Sequence, residues 1–338
     1  MKRFLAAVAI GAIGMASWSA ADALTFDVRN TEDSGAGSLR QAVLDANAAA
    51  GPDAIGFDAG LDGQTIVLTS GPLEIRDSLD VSGPGPDKLV IRSGDPEADL
   101  VKIGGNGISV ALTAIALEGG EDGIQINSGS NGCTVALTNV RVARQLSDDA
   151  VSISGTLNRV TISDSVLEGS EDNISVEGDR NALSVVGSTV AAAKQDGIEV
   201  EGDGNVLAVE NSTVSNNGED PASPNDGIDV DGSRNIVRLT QITSSGNGED
   251  GLDIEGPGNR VTIHGATIAF NGRDGIKVQD PTATSTLVIG GSLVAENEGP
   301  DVDGGVASIG YNLIGDGTGS SGFGAPGDQV GAADKPID

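Results

Sequence analysis

A repeat of about 24 residues is the feature that most constrains what this chain can fold into. Each copy has an Asp before an apolar-x-apolar triplet, and the first six copies have an Asn nine residues after that Asp. The Asp positions are Asp122, Asp149, Asp172, Asp196, Asp226, Asp250 and Asp274, at successive spacings of 27, 23, 24, 30, 24 and 24 residues. The Asn positions are Asn131, Asn158, Asn181, Asn205, Asn235 and Asn259, and the seventh copy has Ala283 instead. A fixed period of this size is typical of solenoid proteins.

Side chains alternate within each copy with a period of two, which is the pattern of a β-strand. Positions two and four after the Asp are apolar, as in Ile198 and Val200, and so are positions two and four after the Asn, as in Leu207 and Val209. A weaker third strand follows, so about 24 residues make one turn of a three-sided coil. The sequence therefore predicts an all-β fold, a right-handed single-stranded parallel β-helix. Stacked aliphatic residues would form its core, and stacked Asn side chains would form a hydrogen-bonded ladder.

The residues before the repeats predict a helix that caps the open end of the solenoid. Ser38 is placed as the N-cap with Gln41 three residues later, which is a capping-box pattern, and Gly51-Pro52 ends the helix. The apolar face of this helix consists of Leu39, Ala42, Val43 and Ala46. Such a helix would protect edge strands that otherwise stay exposed.

The N-terminus predicts export. Lys2 and Arg3 precede an apolar run over residues 4–15, and Ala21-Asp22-Ala23 is a small-residue cleavage site. The predicted organisation is a signal peptide over 1–23, an N-terminal cap over 24–63, a β-helix over 64–309 and an irregular glycine-rich segment over 310–338. The mature protein is expected to be secreted or attached to the cell surface.

The charge balance restricts the possible partners. Removing Lys2, Arg3 and Asp22 from 19 basic and 50 acidic residues leaves 17 and 49, a net charge of −32. That charge disfavours nucleic acid and anionic membranes and favours divalent cations. No later segment is apolar enough to span a membrane, and a monomer is expected. The single Cys133 is predicted to be a buried thiol, and His264 a surface residue.

The N-terminal residues Gly37-Ser38-Leu39-Arg40-Gln41-Ala42 resemble the Cys-Ser-Leu-Arg-Glu-Ala motif of a bacterial family of secreted parallel β-helix proteins. The Cys and the Glu of the motif are replaced here. Residues 309–316 and 327–330 are similar to the ends of such helices. The resemblance implies export and a β-helix, often with a further C-terminal anchoring segment. This chain stops at Ile337-Asp338, where relatives commonly continue, so one interpretation is that it is a fragment.

The strongest candidate for chemistry is a set of nine acids on one strand face of three consecutive coils. These predicted metal ligands are Asp196, Glu199, Glu201, Asp226, Asp229, Asp231, Asp250, Asp253 and Glu255. Two such charges 5 Å apart repel by about 0.8 kcal/mol in water, and only Lys277 and Arg273 offset them nearby. Oxygen ligands at these spacings suit Ca²⁺. The alternative is a solvated acidic face without a specific cation. The longest insertion, residues 217–225, adds Glu219 and Asp220 beside the grid.

Two functions from different classes fit these residues. The first is a scaffold or adhesin outside the cell, contacting polysaccharide or another surface component and binding Ca²⁺. The second is a Ca²⁺-dependent polysaccharide lyase or uronate epimerase, with Lys277 or Arg273 as the base that removes the C5 proton. A cleft walled by the insertion at 217–225, with Lys277 over the carboxylates, favours the enzyme, and a flat, evenly acidic face favours the scaffold.

Overall fold

The structure is a computed structural model that describes residues 23–145, 147–218, 225–280 and 284–337. The predicted signal peptide, apart from Ala23, therefore lies outside the described residues. The same holds for Glu219 and Asp220 in the long insertion and for Ala283. Within the described ranges, no helix is both long and apolar enough to cross a bilayer.

The chain winds into a parallel β-helix with three strand faces, as the period predicts. Strands of the first face are Leu73–Ile75, Val101–Ile103, Ile124–Ile126, Val151–Ile153, Ile174–Val176, Ile198–Val200, Ile228–Val230, Leu252–Glu255, Ile276–Gln279 and Val302–Ser308. Strands of the second face are Thr25–Val28, Asp53–Phe57, Leu79–Ser82, Ser109–Thr113, Thr134–Thr138, Arg159–Ser163, Ala182–Val186, Val206–Glu210, Ile236–Thr240, Arg260–His264 and Thr286–Gly290. Strands of the third face are Gln64–Leu68, Leu89–Ser93, Ala116–Glu118, Arg141–Ala143, Val166–Glu168, Thr189–Ala191, Thr213–Ser215, Thr243–Ser245, Thr267–Ala269, Leu293–Ala295, Leu313–Ile314 and Gln329–Val330.

Strand pairing is parallel between successive coils on every face, with each repeat position opposite its own copy. Ile198 pairs with Ile228, and Val230 pairs with Ile254. The long strand Val302–Ser308 pairs with the first face and then with the second, which joins them into one sheet. Strand Ser320–Ser321 pairs with Gly304 and Gly305 in the middle of strand Val302–Ser308. The pairing extends beyond both ends of the predicted 64–309 range, since Thr25 pairs with Ala54 and Ile314 with Val330.

The core is a set of aliphatic stacks along the axis. One stack follows the start of seven consecutive first-face strands, and every member is 1% exposed or less. Its members are Ile124, Val151, Ile174, Ile198, Ile228, Leu252 and Ile276. Each such side chain contributes about 1.5–3 kcal/mol by leaving water. Cys133 is 1% exposed and free, as predicted for a buried thiol.

The capping helix, α1, spans Leu39–Ala48, and a 3₁₀ turn follows at Ala59–Leu61. Ser38 accepts a hydrogen bond from the Gln41 backbone N–H at 3.2 Å, which confirms the N-cap. The Gln41 side chain donates to Asp45 instead, so the reciprocal half of the capping box is absent. The four predicted apolar residues are all buried in the common core, and α1 packs on three of the first strands.

The asparagine ladder exists, but its bonding differs from the predicted amide-to-amide chain. Each side chain reaches the backbone of the preceding coil: Asn181 Oδ1 accepts from the Asn158 N–H at 2.8 Å, and its Nδ2 donates to the Gly155 carbonyl at 2.9 Å. The members are Asn158, Asn181, Asn205, Asn235 and Asn259. Asn131 is exposed and its side chain contacts Thr156 of the following coil. A second ladder, Asn217, Asn247, Asn271 and Asn297, lies at the corner after the third face.

Replacing Asn181 by alanine is expected to lower the free energy of unfolding by about 1–3 kcal/mol. The change leaves a buried N–H and a buried carbonyl without partners, and urea denaturation measures the loss. Asn131→Ala is the matched control, because the same substitution at an exposed position is expected to cost less than about 1 kcal/mol. Equal losses in the two variants would contradict the ladder's stabilising role.

Candidate functional site

A buried column of aspartates positions the acidic face. The carboxylate of each of the first six repeat aspartates accepts a hydrogen bond from the backbone N–H of the Asp in the next coil. For Asp196, Asp226 and Asp250 these distances are all 2.6 Å. The three side chains are at most 9% exposed, and Asp250 is fully buried. The corner aspartates are therefore held inside the wall of the solenoid, with one oxygen of each carboxylate fixed by the backbone.

The strand register brings the outward acids into one column. Glu199 lies opposite Asp229, which lies opposite Asp253, which in turn lies opposite Lys277. Strands in a sheet are about 4.8 Å apart, so these side chains are immediate neighbours. The column thus passes from three carboxylates to one ammonium group over four coils.

Most of the predicted site residues line one open cavity of about 280 Å³. It is bounded by Asp196, Asn225, Asp226, Asp229, Asp231, Glu249, Asp253, Glu255, Arg273 and Lys277. Carboxylate oxygens of Asp196, Glu199 and Asp229 lie within 4.8 Å of one another, and those of Asp226, Glu249 and Asp250 form a second such group. Glu201 is exposed and belongs to neither group nor to the cavity wall. A third group, Asp122, Asp148 and Asp149, lies on earlier coils.

Lys277 is the cation at the centre of the site. Its Nζ is 3.2 Å from Asp253 Oδ2 and 3.4 Å from Asp250 Oδ2, and its side chain is 14% exposed. Gln279 donates to the same Asp253 oxygen at 3.0 Å. Burial opposes the charge on Lys277, but attraction to Asp253 and Asp250 outweighs it and raises the pKa of the ammonium group. Arg273 lies farther out and pairs with Glu249 at the cavity rim.

Burial and crowding raise the pKa values of Asp196, Glu199, Asp226 and Asp229 well above the ordinary carboxyl range. Burial, opposed by the hydrogen bond from Asp250 and assisted by neighbouring carboxylates, raises the pKa of Asp226 to about 8. Burial, with Asp196 and Asp231 close by, raises the pKa of Asp229 to about 9. The pKa of Asp196 and that of Glu199 rise to about 7, again mainly through burial. The corner carboxylates Asp196, Asp226 and Asp250 are thus buried, whereas Glu201 and Asp231 on the same face stay exposed.

The donor set fits a hard divalent cation. Two carboxylate oxygens in the column, Asp229 Oδ1 and Asp253 Oδ1, are buried and accept no hydrogen bond from any residue that the structure describes. Ca²⁺ in proteins is bound by oxygen ligands, and Asp and Glu carboxylates are the commonest charged ones. A cation held among Asp196, Glu199 and Asp229 would offset the mutual repulsion of these three carboxylates.

Sequence reasoning missed three contributors to the site. Glu249 precedes the repeat Asp, Asn225 ends the long insertion, and Gln279 follows two residues after Lys277. Glu249 and Asn225 each lie one residue before a repeat Asp, whereas Gln279 pairs with Glu255 and so occupies the same outward repeat position one coil later. Adjacency to a repeat Asp and this shared position were the sequence signals for the three residues.

Comparison with known proteins agrees with this architecture. Residues 149–317, which are 169 of the 338 residues, match the family model described as a right handed beta helix region. The chain therefore belongs to this family, and its solenoid is right-handed, as predicted from sequence. No curated protein sequence matches it significantly.

Two solved structures are similar to the chain in fold. One is the pectate lyase Pel9A, with a TM-score of 0.61 and 18% identity over 89% of this chain and 81% of the lyase. The other is the A-module of the Azotobacter vinelandii mannuronan C-5 epimerase AlgE4, with a TM-score of 0.53 and 14% identity over 88% of this chain and 92% of the module. At sequence identities this low, the structural similarity shows a shared fold and nothing more.

Proposed function

We propose that this protein is an exported, Ca²⁺-dependent enzyme that acts on uronate polysaccharides, by β-elimination or by C5 epimerisation, on its acidic face. The observation that carries the proposal is the column in which the Lys277 ammonium faces the buried carboxylates of Asp250 and Asp253. The pectate lyase and the mannuronan epimerase that share the fold support a polyuronate as substrate class.

Asp196, Glu199, Asp229 and Asp253 would hold the Ca²⁺ ion, whose chemistry is to neutralise a uronate carboxylate and so acidify the adjacent C5 proton. Arg273 is placed to bind a substrate carboxylate, since its guanidinium group stays charged and is exposed at the cavity rim. The hydrogen bond that its guanidinium group donates to Glu249 raises the pKa of Arg273, which makes it a poor base.

Lys277 is the better candidate for removing the C5 proton. The neighbouring Asp253 keeps Nζ protonated in the free protein. With a cation bound to Asp253, the attraction of that carboxylate for Nζ would be weaker and the pKa of Lys277 lower, so Nζ could release its proton to water and then accept the C5 proton. In a lyase, Nζ takes the C5 proton, the C5–H electron pair forms the C4=C5 double bond, and the C4–O bond breaks with its oxygen protonated by water. In an epimerase, Nζ takes the C5 proton and water returns a proton to C5 from the opposite face.

The buried carboxylates favour this enzyme over the scaffold or adhesin. A scaffold needs only a solvated, evenly acidic face, whereas here the acids are held in the wall at raised pKa around one lysine. Lys277 lies over the carboxylates, which is the arrangement expected for the enzyme. The wall expected from the insertion at 217–225 falls largely outside the described residues.

Polygalacturonate and alginate, each with millimolar Ca²⁺, are the substrates that test the proposal. We expect ultraviolet absorbance from new C4=C5 bonds, or a changed ratio of uronate epimers by NMR. Lys277→Ala should lower kcat by about 10²–10⁴-fold, the usual contribution of a general base. Arg76→Gln, which removes an exposed and distant cation, should leave kcat unchanged. Binding of both polymers without turnover by the unmodified protein would contradict the enzyme and support the scaffold.

A further inference from the structure

The second face differs in charge from the rest of this acidic chain. On its eight strands from Ser109–Thr113 to Thr286–Gly290, the first, third and fifth residues point outward. These outward positions include three arginines and a single carboxylate, Glu210. Threonine, serine and alanine fill most of the others. A flat surface with net positive charge is therefore present on a protein of net charge −31.

The arginines of this face have no acidic partners. Eight of the twelve described arginines have a carboxylate within 4.0 Å. Among described residues, the remaining four make neither a salt bridge nor a side-chain hydrogen bond. They are Arg159, Arg238 and Arg260 on the second face and Arg180 at the corner that leads into it. We call these four residues the arginine row. In a chain with so large an excess of carboxylates, four unpaired guanidinium groups on one side are a distinct surface.

The row runs along the solenoid axis. Arg238 lies opposite Thr262, two residues from Arg260 on the same strand, so the two arginines are about 8 Å apart at Cα. Arg159 lies three coils from Arg238 toward the N-terminus, roughly 14 Å away along the axis, and Arg180 is on the coil next to Arg159. Three of the four side chains are exposed and Arg238 is half-buried.

The chemistry of the row fits the carboxylates of a linear polymer. Guanidinium groups bind carboxylates through two parallel N–H donors, and the intervening hydroxyl groups of Thr161, Ser184 and Thr262 can bond sugar hydroxyls. The Debye length at physiological salt is about 8 Å, so charges farther than this from an arginine through solvent contribute little to its local field. The positive charge is therefore felt locally despite the net charge of the chain.

We infer that the arginine row binds the carboxylates of an acidic polysaccharide along the second face, without a metal ion. The identity of the polymer rests on the proposed function, because Arg238 and Arg260 lie on the same coils as Asp229 and Asp253, one corner away. The row would hold one segment of the polymer while another segment is presented to the acidic face.

Binding of polygalacturonate in EDTA, at low and at physiological salt, tests the inference by affinity electrophoresis and calorimetry. Arg238→Gln/Arg260→Gln should weaken binding about tenfold, and salt should weaken the binding of the unmodified protein strongly. The control is Arg76→Gln/Arg144→Gln, which removes two exposed cations from other surfaces and so changes the net charge equally. Its binding should change less than about twofold.

The inference is overturned if the unmodified protein does not bind polygalacturonate in EDTA, or if both double variants lose affinity equally. Tighter binding of single-stranded DNA of matched charge than of polygalacturonate would overturn the assignment to polysaccharide. The proposed function is judged separately, by Ca²⁺-dependent turnover. The Arg238→Gln/Arg260→Gln variant should retain kcat and show a raised KM. If the arginine row does not bind polygalacturonate, the proposed enzymatic function can therefore still be correct.

Discussion

Replacing Lys277 by methionine is expected to lower the free energy of unfolding by about 3 kcal/mol at pH 8 in EDTA. The substitution keeps the volume of the side chain but leaves the buried carboxylates of Asp250 and Asp253 without their cation. A buried charge that loses its partner retains the cost of leaving water without the compensating attraction. Urea denaturation monitored by circular dichroism measures the loss.

Arg273→Met is the matched control for this experiment. Arg273 also pairs with an acid of the same site, but it is half-exposed at the rim, so the loss should be below about 1 kcal/mol. If Lys277→Met costs no more than Arg273→Met, then Lys277 does not neutralise the buried acids. The proton-transfer role proposed for it would then lose its structural basis.

In EDTA, raising the pH from 5 to 9 is expected to destabilise the protein by at least about 3 kcal/mol. Burial raises the folded-state pKa of Asp226 to about 8 and that of Asp229 to about 9, from an ordinary value of 3.8. The folded protein therefore holds protons that the unfolded chain has released. Stability from this source is complete below pH 3.8 and is lost as the pH rises through 8 and 9.

Asp229→Asn provides the control for the pH dependence. Removing a carboxyl with a raised pKa should flatten the curve of stability against pH and make the variant more stable than the unmodified protein at pH 9 in EDTA. Asp27→Asn, at an exposed carboxylate on the second face, should leave the curve unchanged. Stability that stays constant between pH 5 and pH 9 would mean that the acids on the first face are ordinary solvated groups.

The fold could be predicted from sequence because the residue pattern that specifies each coil is short and recurs along the chain. The alternation at Ile198 and Val200 fixes which side faces inward, and the constant Asp-to-Asn interval fixes how coils align. The N-cap at Ser38 follows from its own residues in the same way. The paired strands before residue 64 and after residue 309 were missed, because they lack the repeated Asp and Asn.

The sequence predicted which residues share the acidic face, but it did not predict that the corner aspartates are buried. Register arithmetic placed Asp229, Asp253 and Lys277 in one column, which the pairing shows. Burial of the corner residues Asp226 and Asp250 could not be read from alternation, since corners have no strand period. Their carboxylates turn inward to bond the backbone of the next coil, which is a contact between residues 24 positions apart.

Thermal unfolding at pH 8, with EDTA or with millimolar Ca²⁺ at matched ionic strength, tests the central claim most directly. The claim is that the acidic face is a specific divalent-cation site. We predict a Ca²⁺-specific stabilisation of about 2.7 kcal/mol at one hundred times Kd, seen as a raised Tm and abolished in Asp229→Asn/Asp253→Asn. A Tm that Ca²⁺ raises no more than sodium chloride of equal ionic strength would contradict the cation site and the uronate chemistry proposed for it.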